Sequence, residues 1–179
     1  METGRMALAV CLLFDGRSER LVRDLWSRLE AHGVRTLETH THRRHRPHLS
    51  YAVLRDWDLD CVRDAVSALP DEGPFLVEGH GSVLFPRGRV ALAVSIPAAA
   101  AARQERVARA LEDAGADLHV HYRPGHWVPH VSVATRAQGA GQGVAVTTIA
   151  DTLPMGLVVQ RAALIDSATG QTWWLPGVP

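Results

Sequence analysis

The sequence predicts an α+β fold of two pseudo-symmetric lobes: an internal duplication whose sheets face a central cleft, with helices on the outside. Three observations predict it. Two short strings nearly repeat about eighty residues apart, Pro47-His48-Leu49-Ser50-Tyr51-Ala52 and Pro129-His130-Val131-Ser132-Val133-Ala134. The apolar run Ala-Leu-Ala-Val occurs at Ala7–Val10 and again at Ala91–Val94. Around each copy the hydrophobic pattern reads in one order: strand, helix, strand, helix, strand.

The elements follow in turn. Met6–Phe14 is a short, continuously apolar run, as expected of a buried strand. Asp15-Gly16-Arg17 follows directly with no small-residue cleavage site, which favours a strand over a signal-peptide core. Leu21, Val22, Leu25, Trp26 and Leu29 fall on one helical stripe, and Gly33 offers a stop. Pro47 opens the first histidine strand, where a proline is tolerated. Leu59–Leu69 predicts a helix ended by Pro70, and Phe75–Phe85 a strand leading to a turn at Gly88. In the second half Ala91–Val94 is the first strand. Pro97 begins a helix whose Val107, Leu111 and Ala114 form a weaker stripe before Gly115. Pro129 opens the second histidine strand. A helix over Val144–Leu153, a strand over Leu157–Ile165, a turn at Gly170 and a hairpin strand over Gln171–Leu175 complete the chain. Arg136–Gly143, rich in glycine, reads as the clearest flexible loop. The expected organisation is a single bilobal domain over 1–179, with lobes of about 6–88 and 89–175.

Lysine and arginine total 19, as do aspartate and glutamate, so the formal net charge is zero. Binding a long nucleic acid usually calls for a basic surplus, and the balance favours a small phosphate-bearing ligand. No apolar stretch reaches the ~20 residues of a membrane helix. Cys11 and Cys61 lie in apolar runs with no C-x-x-C pair and read as buried, reduced thiols of a cytoplasmic protein. Internal pseudo-symmetry suits a monomer, and no obligate protein partner is implied.

The chemistry sits in the histidine strings. A period of two puts His48 with Ser50, and His130 with Ser132, on one face of a strand. Two such faces brought together make a pocket of two imidazoles and two hydroxyls, equipment for moving protons around a phosphate. A bare His-x-Ser is a weak signal among ten histidines. The third instance, His80 with Ser82, lacks the preceding proline and reads as coincidence. The other two share proline before, alanine after, strand context and repeat position. Their surroundings repeat as well: His40-x-His42-x-Arg44 then His45, and His119-x-His121-x-Arg123 then His126. A metal site, a solvated basic loop and phosphate contacts through Arg44 or Arg123 are all open for this pattern. No carboxylate or cysteine stands at ligand-like spacing, and arginine beside phosphate is more favourable than arginine beside a cation, so no metal is assigned. Tyr122 and Trp127, the aromatic residues nearest the second motif, fit either core packing or stacking on a base. Tyr51 and Val53 alternate with Ser50 and should face away from the pocket.

These motifs, their spacing and the duplicated halves resemble the two-histidine (2H) phosphoesterase superfamily. Within it the chain is most similar to the bacterial and archaeal 2′-5′ RNA ligase group, which act as RNA 2′,3′-cyclic phosphodiesterases. The resemblance runs from Met6 to about Leu175 and includes GHGSVLFPRGRVALAV, Gly79 to Val94. It implies His48 and His130 as the catalytic pair and Ser50 and Ser132 as phosphate-holding hydroxyls. Serine stands in both motifs where threonine is commoner. Arg136, next to Thr135, stands near an arginine that relatives often have after the second motif. The implied activity opens 2′,3′-cyclic phosphates of nucleotides or RNA ends, a step of RNA processing, with no metal or other cofactor. Run backwards, the same groups would join a 2′-hydroxyl to a cyclic phosphate. Two other readings stay open: an RNA-end or nucleotide-binding protein with little turnover, and a metal-dependent hydrolase using the extra histidines. Which histidine is acid and which base is not assigned.

Overall fold

The computed structural model describes residues 7–179; Met6, where the first predicted strand was placed to begin, lies outside them. The elements are β1 (Leu8–Phe14), α1 (Gly16–Ala31), β2 (His48–Asp56), α2 (Leu59–Ser67), β3 (Phe75–Phe85), β4 (Arg89–Ser95), α3 (Ala98–Asp113), β5 (Asp117–Leu118), β6 (His130–Ala134), α4 (Ala140–Ala150), β7 (Met155–Asp166) and β8 (Thr172–Trp174). The strands pair in the order β1-β2-β6-β4-β3-β7-β8, with β5 on β2 and β7 returning to β1. Every pairing between them is antiparallel. No helix among the described residues is long and apolar enough to cross a membrane.

The duplication extends to single ladder positions. Between β1 and β2, Val10 pairs with Ala52 and Cys11 with Ser50, so the ladder steps over Tyr51. Between β4 and β6, Val90 pairs with Ala134 and Ala91 with Ser132, stepping over Val133. The same bulge therefore sits at the same place in each half. Val10 is the counterpart of Val90 and not of Val94, so the two Ala-Leu-Ala-Val strings occupy corresponding strands but not corresponding positions. Two pairs join a residue to its own counterpart: Leu49 with Val131 and Val77 with Leu157. They mark where a pseudo-twofold axis crosses the sheet.

The helices form for local reasons. Asp15 caps α1 by accepting from the Ser18 N–H at 2.7 Å, and Asp58 caps α2 through the Cys61 N–H at 2.9 Å, each satisfying a backbone donor that the first turn leaves unpaired. Val22, Leu25, Trp26 and Leu29 are fully buried along α1, and that face lies against β1, β6, β7 and α4. Each such side chain withdrawn from water contributes about 1.5–3 kcal/mol. Gly33, at φ 76°, takes the left-handed conformation that ends the helix.

Four expectations are corrected. Leu21 is 37% exposed at the edge of the α1 stripe. Cys61 is exposed, because the buried face of α2 is set by Val62 and Val66. Pro97 is the residue before α3 and not its first turn. The predicted loop Arg136–Gly143 runs into α4, which begins at Ala140. Glycines 141 and 143 cost that helix about 1 kcal/mol each, but burial of Ala145, Thr148 and Ile149 outweighs it.

Candidate active site

Pairing of Leu49 with Val131 makes the two motif strands neighbours. Both residues are fully buried and point into the core. By alternation His48, Ser50, His130 and Ser132 share the opposite face. Continuing the antiparallel register by one residue sets His48 across from Ser132 and Ser50 across from His130. The two histidines are then diagonal neighbours, about 7–8 Å apart. Cys11 and Leu13 flank Ser50 and His48 on one side, and Ala91 and Ala93 flank Ser132 and His130 on the other.

The bulges position the serines. Each bulge leaves the carbonyl of its motif serine in need of a donor, and an indole supplies it. Trp127 Nε1–H donates to the Ser50 carbonyl at 3.1 Å; Trp26 Nε1–H donates to the Ser132 carbonyl at 3.2 Å. Each tryptophan belongs to one half and serves the other half's motif. Trp127 also meets Tyr51 edge-on at 5.7 Å between ring centroids. Tyr51 is fully buried, so Trp127 packs behind β2 with the core; it is not placed to stack on a base.

Tyr122 lies on the cleft side. It ends a 3-10 turn over Val120–Tyr122, anchored where the buried Gln104 side chain donates to the carbonyls of Tyr51 at 3.1 Å and Tyr122 at 2.9 Å. Its ring centroid is 6.5 Å from that of His130. Burial pushes its phenol up to about 12, the nearby Cys11 adds to the rise, and a hydrogen bond with Ser50 opposes it. Phe85 packs on the His130 ring at 4.7 Å.

Both imidazoles are held the same way. His48 Nδ1–H donates to the Arg46 carbonyl at 2.6 Å, and His130 Nδ1–H to the Val128 carbonyl at 2.7 Å. A carbonyl only accepts, so Nδ1 carries a proton in each ring and Nε2 is left for chemistry. Their proton affinities diverge. Burial is the largest influence on His48 and alone would lower its pKa. The Cys11 sulfur, by charge and by hydrogen bond, and the Arg46 carbonyl outweigh it and raise the group to about 9. His130 is lowered, first by burial and then by the neighbouring His48 and His121, against an upward pull from the Val128 carbonyl. The counterpart of Cys11 is Ala91, so the asymmetry follows from one residue in the duplicated frame.

The arginines separate. Arg123 is tied to Asp117 at 3.4 Å, away from the motif serines. Arg44 is exposed, and its backbone N–H donates to His42 Nδ1 at 3.0 Å; its guanidinium makes no bond with a described residue. Arg136 and Arg89 lie close enough to His40 to depress its pKa, after burial. Arg89 also acts on His119 and Tyr122, and neither arginine makes an ion pair among the described residues. Sequence reasoning missed Arg89 because it stands in a turn-rich string with no periodic signal. It missed Cys11 because a continuously apolar strand hides which face each residue takes.

The flanking histidines are not on strands. Thr41 and Arg43 have φ 44° and 57°, and the His40–His45 segment folds on itself with His42 and His45 ring centroids 4.2 Å apart. His45 is depressed to about 4 by burial and by His42, His48 and His40. Arg46 is not a solvated charge: it pairs with Glu19 at 2.9 Å. Among the described residues no group of three or more His, Cys, Asp or Glu side chains is arranged to hold a metal ion. His80 bonds Ser95 at 2.9 Å and not Ser82.

A sheet closed around two paired His-x-Ser strands defines a class, the 2H phosphoesterases, and comparison with known proteins agrees. The family model described as the 2′-5′ RNA ligase superfamily matches residues 18–171; the chain belongs to that superfamily. Its fold is similar to that of E. coli LigT, crystallised with NADP+, at 12% identity and TM-score 0.58 over 96% of this chain and 98% of the other. It is also similar to Kluyveromyces marxianus Usb1, solved with uridine monophosphate, at 16% identity and TM-score 0.54 over 96% and 99%. The MHV ns2 PDE domain aligns at 17% identity and TM-score 0.51 over 95% and 97%. No curated protein matches the chain.

Proposed function

We propose that the chain is a metal-independent phosphodiesterase that opens 2′,3′-cyclic phosphates of nucleotides or RNA ends. The observation that carries this reading is the convergence of both His-x-Ser motifs on one sheet face, each imidazole tethered to a backbone carbonyl through Nδ1. His130 holds its proton less tightly and acts as general base; His48 holds its proton more tightly and acts as general acid. Water attacks phosphorus while His130 Nε2 takes its proton. The phosphorus–ribose oxygen bond opposite breaks, and His48 Nε2–H protonates the departing oxygen. Ser50 and Ser132 donate to the non-bridging oxygens and stabilise the added charge, and Arg136 and Arg89 favour an anion at the mouth of the cleft. With a ribose 5′-hydroxyl in place of water, the same groups form a 2′-5′ linkage: His130 Nε2 takes the hydroxyl proton, the P–O3′ bond breaks and His48 Nε2–H protonates the 3′-oxygen. The working unit is one bilobal domain over 1–179, a cytoplasmic monomer acting in RNA processing. Known relatives solved with NADP+ and with uridine monophosphate support a nucleotide-shaped cleft.

The test is incubation with the four nucleoside 2′,3′-cyclic monophosphates and a short cyclic-ended oligonucleotide, with and without EDTA, and identification of the products. Linear phosphate released in both conditions supports the reading. Activity lost in EDTA and restored by a divalent ion would show the metal-dependent alternative. Tight binding without turnover would show an RNA-end binding protein.

A further inference from the structure

We propose that Trp174 and Arg161 form an outer subsite that stacks and neutralises nucleotides upstream of the cyclic phosphate. It deepens the proposed function, on which it rests. The sheet register carries the placement. Ser50 pairs with Cys11, Cys11 with Ala163, and Ala163 with Trp174. His48 likewise pairs with Leu13, and Leu13 with Arg161. Residues directly opposite in a ladder point to the same face, so Trp174 and Arg161 stand on the face that carries the histidines. At ~4.8 Å per strand, Arg161 lies about 10 Å and Trp174 about 14 Å along the sheet from the motif strand. A few single-stranded nucleotides cover such a span.

The side chains there are built for a flat, anionic ligand. Trp174 is 50% exposed. The Arg161 guanidinium lies over its ring at 4.8 Å, and that of Arg46 at 5.8 Å. Arg46 is oriented by Glu19 and stands two residues before His48, whose Nδ1–H its carbonyl accepts. Arg161 makes no hydrogen bond or ion pair among the described residues. A cleft of about 490 Å³ opens beside it, lined by Asp71, Gln160, Arg161, Trp174 and Pro176 among others, a volume typical of small-ligand sites. The Asp71 carboxylate in its wall accepts from the Gly73 and Val178 N–H groups at 3.0 and 2.9 Å, so its charge is partly answered and the phosphate side is left to Arg161. A stacking ring beside unpaired guanidinium is how single strands are held without sequence preference.

The experiment measures kcat/KM for cyclic-ended oligonucleotides of one to five nucleotides in the wild type, Trp174→Ala, Trp174→Phe and Arg161→Gln. In the wild type kcat/KM rises with length. In Trp174→Ala the ratio of oligonucleotide to mononucleotide falls about tenfold; Arg161→Gln also lowers it, and Trp174→Phe keeps most of it. A wild type indifferent to length, or a Trp174→Ala variant that lowers both substrates alike, overturns the subsite. If the wild type opens no substrate, the hydrolase reading fails. The subsite is then judged by affinity for the same oligonucleotides ending in a 3′-phosphate, and undiminished binding by Trp174→Ala overturns it.

Discussion

Leu49 of β2 pairs with Val131 of β6, and each is the other's counterpart in the duplicated half. That one contact converts two motifs into one site. A strand paired with its own counterpart presents the same face on both sides of the axis, so the two His-x-Ser pairs are neighbours by symmetry. If His48 and His130 act on one phosphorus, replacing either with alanine lowers kcat/KM by on the order of 10²-fold or more. Replacing both costs much less than the product of the two losses. Full activity in the double variant removes both from the chemistry.

The diverging proton affinities fix the pH dependence. His130, the base, must be unprotonated, and its pKa lies below the ordinary value, so activity is lost as pH falls below about 6.5. His48, the acid, must be protonated, and it deprotonates only near 9. The kcat/KM profile is therefore a bell with its acid limb below that value and its alkaline limb near 9. The two limbs belong to the coupled pair. A profile falling already at pH 7.5 on the alkaline side contradicts the assignment of acid and base.

Cys11 does more than the Arg46 carbonyl to raise His48 against burial, so Cys11→Ala should move the alkaline limb downward. The acid limb should change far less.

Much of this was legible in the sequence because the duplication repeats both pattern and chemistry. The strand-helix order and the faces of Ser50 and Tyr51 each follow from a period of two or of 3.6. What was not legible depends on pairing across the sheet. Trp127 adjoins the second motif in sequence but serves the bulge of the first. Cys11 and Arg89 acquire neighbours only when β1 meets β2 and β4 meets β6. Arg46, in the basic segment before the first motif, is claimed by Glu19 on a helix formed earlier in the chain.

The histidine-rich segment depends on the hairpin beyond β7. Gly170 has φ 75°, and a Cβ there would fall 2.8 Å from His42 Cε1. Gly170→Ala imposes both left-handed strain and a displaced ring, and should lower stability by about 1–3 kcal/mol. Thermal unfolding measures it, and a change below 0.5 kcal/mol, the usual range of surface substitutions, shows that the segment yields freely.

The two indole bonds give a last prediction, because neither tryptophan faces the cleft. Trp26→Phe and Trp127→Phe each keep an aromatic ring but remove the donor to a motif-serine carbonyl. A buried carbonyl left unpaired costs about 1–3 kcal/mol, which appears as a lower denaturant midpoint at an unchanged m-value. Trp26 is fully buried, so its replacement adds a cavity and should cost more than that of Trp127. Each bulge aims its serine hydroxyl, so kcat should also fall, although no atom of either side chain reaches the phosphate. Trp127→Phe acts through Ser50 and Trp26→Phe through Ser132, so adding Ser50→Ala to Trp127→Phe should cost little more activity than Ser50→Ala alone. Adding Ser132→Ala to Trp127→Phe should instead bring a further loss. Equal effects from both combinations would mean that the indoles stabilise the sheet generally and do not position the serines.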